Sequence, residues 1–218
     1  TGISDEDKKL GYDDPDFRDI VVKGIAMKAA WQVAFLKEAF DVPVLLFIDE
    51  PAMAGLGSSS FISISVDDIA QDLAEITGAI HKSGGMAGVH VCANTDWNLL
   101  LASDIDILSF DAYTFFDRFI TCKKLIHTFL ERGSLIAWGI IPTSEPENIQ
   151  QETCDSLVNR WEQQADLLSG GAWNMTTLLQ QTIITPSCGT GSLSPELATR
   201  VLQLTKEVSK ALRAKYLP

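Results

Sequence analysis

His90, Cys92 and Cys188 are the residues of this chain whose types and spacing best suit a metal ion. His90-Val91-Cys92 closes the apolar run Met86–Val91. In an extended strand, residues i and i+2 point to the same side, so an imidazole and a thiolate separated by one residue can face a single ion. Cys188 follows another apolar run, Thr182–Thr185, in Pro186-Ser187-Cys188-Gly189. Catalytic zinc keeps three protein ligands and an exchangeable fourth position, and Cys₂His is an established set. Further polar groups end other apolar runs: Asp49-Glu50 behind Val44–Ile48, Asp111 in Ser109-Phe110-Asp111-Ala112-Tyr113, and Pro142-Thr143 behind Trp138-Gly139-Ile140-Ile141. Taken singly, each acid also suits a helix N-cap or a solvated loop.

Strands must position these groups. Five apolar runs, Val44–Ile48, Met86–Val91, Asp106–Phe110, Leu135–Ile140 and Thr182–Thr185, are nearly continuous in apolar character, as parallel strands covered on both faces are. Amphipathic stretches separate them. Ile69, Leu73, Ile76 and Ile80 share one helical face, and so do Leu197, Val201, Leu204, Val208 and Leu212. Ser194-Pro195-Glu196 opens the last helix with an N-cap and a proline at its first position, and Ser65 can cap the helix beginning near Asp67. Further helices are predicted near Asp16–Phe40, Thr95–Ala102, Asp117–Arg132 and Glu147–Ser169. Strands alternating with helices imply right-handed crossovers and a parallel sheet. An open doubly wound sheet and a (β/α)₈ barrel both fit. Gly55-Leu56-Gly57 runs into serines without a third glycine, so the dinucleotide fingerprint is missing. A complete barrel needs at least ~200 and typically ~250 residues. Five units already occupy 218 positions, so the expectation is a single domain, 1–218, forming the C-terminal portion of a barrel without its first two to three units.

Composition narrows the function. Lys and Arg number 17 and Asp and Glu 29, a net charge of −12, which repels phosphate backbones and argues against a nucleic-acid binder. No apolar run approaches the roughly 20 residues of a membrane span. Four cysteines are too few for a disulfide-stapled fold of this length, which points to a reducing, cytoplasmic setting. Cys122 and Cys154 lie in helix-like stretches and are expected to be inert core residues. Residues 51–65, rich in Gly and Ser behind the first strand, are expected to form a mobile lid. The start at Thr1 suggests processing or truncation.

Phe47-Ile48-Asp49-Glu50-Pro51-Ala52, His90-Val91-Cys92 and Pro186-Ser187-Cys188-Gly189 resemble the C-terminal catalytic barrel of cobalamin-independent methionine synthase. Gly85–Tyr113 and Ala137–Thr143 resemble the wider superfamily of uroporphyrinogen decarboxylase and corrinoid-protein:thiol methyltransferases. The resemblance runs from about Tyr12 onward. It implies a TIM-type barrel with Zn²⁺ held by His90, Cys92 and Cys188. Asp111 falls where methionine synthases have a glutamate ligand, after a slightly shorter gap, and aspartate reaches one methylene less. Asp49 matches the acid that holds the homocysteine amino group, with Glu50 its neighbour. The implied activity is methyl transfer to a small-molecule thiol such as homocysteine. The donor is a methylcorrinoid, free or protein-bound, or a methyl-folate, with the corrinoid favoured because the folate-site segments find no match. A homo-oligomer is compatible with all of this. The alternatives are a metal-free decarboxylase of the uroporphyrinogen type and a non-catalytic corrinoid-binding subunit. The first would need basic residues to bind carboxylates, and Arg118 is a rare one near these strand ends.

Overall fold

Strand and helix alternate along the chain in the computed structural model, which describes residues 11–50, 53, 65–171 and 173–217. Helix α1 (Pro15–Ala39) precedes β1 (Leu45–Asp49), α2 (Val66–Lys82), β2 (Met86–Val91), α3 (Trp97–Ala102) and β3 (Ile107–Phe110). Then follow α4 (Ala112–Phe119), α5 (Lys123–Glu131), β4 (Leu135–Ile141), α6 (Pro146–Gln151), α7 (Cys154–Ser169), α8 (Met175–Gln180), β5 (Thr182–Pro186) and α9 (Pro195–Tyr216). The strands are ordered β1-β2-β3-β4-β5, and the β1–β2 and β4–β5 pairs are parallel. The fold class is therefore α/β. No helix among the described residues is long and apolar enough to cross a membrane.

The chain divides into two compact units. One comprises the described residues up to Val91 with Thr95–Leu108, the other Cys92–Asn94 with Ser109 onward. In the first, Ile69, Leu73, Ile76 and Ile80 of α2 are buried on the face their spacing predicts. Val22, Ala26, Ala29 and Val33 of α1 join Ile76, Ile80, Val44 and Ala87 in one core cluster. Burying each large aliphatic side chain contributes about 1.5–3 kcal/mol. Arg18 of α1 ties the helices together, with Nε 2.9 Å from Asp72 Oδ2 and a terminal nitrogen 2.7 Å from Asp72 Oδ1. Asp14 caps α1 ahead of Pro15, and Ser65 Oγ accepts from the amides of Asp67 and Asp68, as expected. The outer side of α1 is apolar too: Ile20, Met27, Trp31 and Phe35 are exposed, Met27 to 73%.

In the second unit β4 is buried along nearly its whole length. Trp138 lies between Phe116 and Trp161, and its Nε1 donates to Gln164 Oε1 at 2.7 Å. Gln164 Nε2 in turn donates to the Ala112 carbonyl at 2.9 Å. Two single helices of the sequence prediction prove to be pairs. A 3₁₀ turn at Ile120–Cys122 separates α4 from α5. Glu152 and Thr153 separate α6 from α7, where Thr153 and Ser156 form a reciprocal capping box that starts a new helix. Cys122 and Cys154 sit at these breaks, half-exposed rather than in the core, which corrects their expected placement. Residues 51–64, apart from Met53, lie outside the described residues, and the expected lid lies there.

All three tyrosines donate to carboxylates: Tyr12 to Asp72 at 2.9 Å, Tyr113 to Glu152 at 2.8 Å and Tyr216 to Glu162 at 2.7 Å. Burial first, and the carboxylate partner second, raise each phenol above its ordinary value. A group whose folded pKa is raised contributes stability that is complete below its unfolded pKa, here about 10, and lost as pH rises beyond it. Stability should therefore fall with alkali. Tyrosinate absorbance should appear at higher pH in the native than in the denatured chain, and coincident titrations would contradict this.

Candidate metal centre

Strand β2 ends on Val91, so His90 and Cys92 sit at its C-terminal end, tied through one residue. Cys188 follows β5 by two residues. The ligand atoms of His90, Cys92 and Cys188 all lie within 4.8 Å of one another. Tetrahedral zinc, with sulfur at about 2.3 Å and nitrogen at about 2.0–2.1 Å, sets donor separations of roughly 3.5–3.8 Å. The 4.8 Å bound on the donor separations includes that range. The donor set therefore fits zinc: one borderline nitrogen, two soft sulfurs, each partly exposed and reachable by an ion.

Burial pushes the Cys92 thiol above its ordinary value, and the neighbouring Cys188 and Asp111 push it in the same direction. Two sulfurs and a carboxylate facing one another disfavour the thiolate. A divalent cation inverts that balance, because a coordinating thiol is deprotonated.

Asp111 stands outside the three-residue group. It is buried, caps α4, and accepts the Thr114 amide on Oδ1 at 2.9 Å. It lines a cavity of about 480 Å³ together with Cys92, Tyr113, Thr143, Glu145 and Ser187. Cys92 lines the same cavity, so the Asp111 carboxylate and the Cys92 thiol border one space. No Lys, Arg or His lines that cavity among the described residues.

The acids at the end of β1 part company. Asp49 pairs in register with His90, so the two share one face of the strand pair. Glu50 alternates to the other face, where it lines a separate cavity of about 100 Å³ with Ile48, Arg18, Met53 and Asp72. Its amide donates to the His90 carbonyl at 3.2 Å, which extends the ladder past the strand end.

One part of the site had no expectation. Thr143 Oγ1 and Ser187 Oγ share a hydrogen bond at 2.9 Å, although 44 residues separate them. Both are buried, to 6% and 2% exposure. Pro142-Thr143 and Pro186-Ser187 were each visible as polar strand ends, but nothing local announces their pairing. Compared with protein-family models and with curated proteins, the chain matches none.

Proposed function

We propose that the protein is a zinc-dependent methyltransferase that moves a methyl group from a methylcorrinoid to a small thiol. The observation that carries this reading is the convergence of His90, Cys92 and Cys188 ligand atoms within 4.8 Å. Bound zinc would supply an acidified, fixed substrate sulfur at neutral pH, where a free thiol is only a few per cent thiolate. His90 contributes the neutral nitrogen ligand. Cys92 and Cys188 bring two negative charges that keep the centre electron-rich. Asp111, beside Cys92, is proposed as the fourth protein ligand, displaced when substrate arrives. Asp49, on the His90 side, is proposed to hold the substrate ammonium. Glu50 faces the other cavity, so its proposed part is the backbone bond that steadies His90.

The substrate sulfur forms the new bond to the methyl carbon. The donor keeps the electron pair of the bond that breaks, and the thiol proton leaves to solvent. The cavity beside Cys92 has the volume of a small-ligand pocket and is lined by Asp111 and Glu145, with no Lys, Arg or His among the described residues. Such a lining opposes the carboxylate tail of a folate, which favours the corrinoid donor over methyl-folate. The finer architecture we propose is the TIM-type barrel. Apolar residues on both sides of α1 suit a helix with neighbours on either flank, as in a barrel's outer ring. A cytoplasmic setting, where thiols stay reduced, is part of the same proposal.

The test is incubation of zinc-loaded protein with homocysteine and methylcobalamin or methyltetrahydrofolate, read by mass spectrometry of the thioether. Zinc-dependent methionine formation from methylcobalamin is the expected result. No zinc-dependent product from either donor would overturn the proposal.

A further inference from the structure

Cys188 has no regular secondary structure of its own, yet a metal ligand must be held to within about 0.5 Å of its working position. What holds it is its neighbour. Ser187 is fastened three times to the end of β4. Its amide donates to the Ile141 carbonyl at 2.8 Å. Its hydroxyl shares the 2.9 Å bond with Thr143. Its Cα approaches Gly139 so closely that a Cβ there would stand 2.9 Å from it, and 2.4 Å from the Phe110 carbonyl oxygen. The β4–β5 register shifts between Gly139 and Ile141, the kind of irregularity that re-aims a side chain beside a site.

We infer that Thr143 and Ser187 are positioning residues whose hydroxyl pair sets the direction of the turn carrying Cys188, and so the spacing of the Cys92 and Cys188 sulfurs. The inference rests on the metal-centre reading and deepens it. Stability alone gives little reason for the pair. Two buried hydroxyls must be desolvated, and apolar groups of the same shape can be nearly neutral or stabilising in their place. What apolar groups cannot supply is direction. A valine and an alanine would keep the Ser187 amide bond and the close approach to Gly139, but would remove the side-chain bond that sets the direction in which the turn leaves Ser187 towards Cys188.

The experiment uses the chain with Cys122→Ser and Cys154→Ser, so that only Cys92 and Cys188 report. Its first readout needs no metal: equilibration with oxidised glutathione. There, two protein thiols become one disulfide and one oxidised glutathione becomes two reduced ones. Its second readout is zinc affinity by chelator competition. Thr143→Val and Ser187→Ala should each lower the dithiol–disulfide equilibrium constant about tenfold and weaken zinc about 10–100-fold, the usual cost of losing an outer-shell partner. The unfolding temperature should hardly move, and Thr143→Ser should restore both readouts. If the parent binds no zinc while the disulfide equilibrium still shifts in the variants, the positioning role stands and the metal reading fails. If the parent binds zinc and both variants keep both constants within about twofold, the positioning role is wrong.

Discussion

Cys92→Ser and Cys188→Ser are each expected to weaken zinc binding by more than about a hundredfold, beyond the 10–100-fold that loss of an outer-shell partner costs. The magnitude follows from the donor set. Removing one sulfur from the His90, Cys92 and Cys188 group leaves one soft anion where there were two, and a serine hydroxyl is a hard, protonated donor in its place. The parent chain gives the effect a second readout. Of its four cysteines, all should react with a thiol reagent in the metal-free protein, and Cys92 and Cys188 should be protected when zinc is bound. Zinc at a hundred times its dissociation constant should also add about 2.7 kcal/mol to stability, and either serine variant should lose that increment. Four reactive thiols with and without zinc, or full zinc retention in both variants, would contradict the ligand assignment.

Trp138→Ala is expected to cost about 3–5 kcal/mol, the range for removing a large aromatic from a core. The upper end is appropriate here. Trp138 is fully buried between Phe116 and Trp161, and its loss strips Gln164 Oε1 of its donor deep in the second unit. Typical domains hold only about 5–15 kcal/mol in total, so this one substitution removes a large share. The unfolding midpoint should drop by roughly 6–20 °C for a chain of this size. A shift below about 2 °C would mean that the surrounding side chains collapse into the space, and that the Trp138–Gln164–Ala112 chain of bonds contributes little.

The contrast between these two regions shows what local pattern carries. Met86–Val91 reads as a strand from its apolar run, and the structure places β2 over the same residues. The α2 face and the Ser65 and Ser194 caps follow equally from spacing and capping chemistry. The breaks in the two long helices do not. Thr153 starts a new helix through its own capping box, but Glu152 is held by Tyr113 from 39 residues away. The site divides in the same way. His90 and Cys92 are visible because one strand carries both. Asp49 and Glu50 look alike in sequence, and only the register with His90 and the alternation that follows send them to opposite faces. Asp111 takes the N-cap role of α4 and stands outside the His90, Cys92 and Cys188 group, although it lines the same cavity as Cys92. The Thr143–Ser187 bond, with its 44-residue separation, leaves no local trace at all.

Zinc-edge X-ray absorption of the protein loaded with one equivalent of zinc tests the central claim most directly. The account predicts two sulfur scatterers at about 2.3 Å and an imidazole nitrogen at about 2.0–2.1 Å, with the sulfur count falling to one in Cys188→Ser. A shell of nitrogen and oxygen alone, or a protein that retains no zinc, would contradict it.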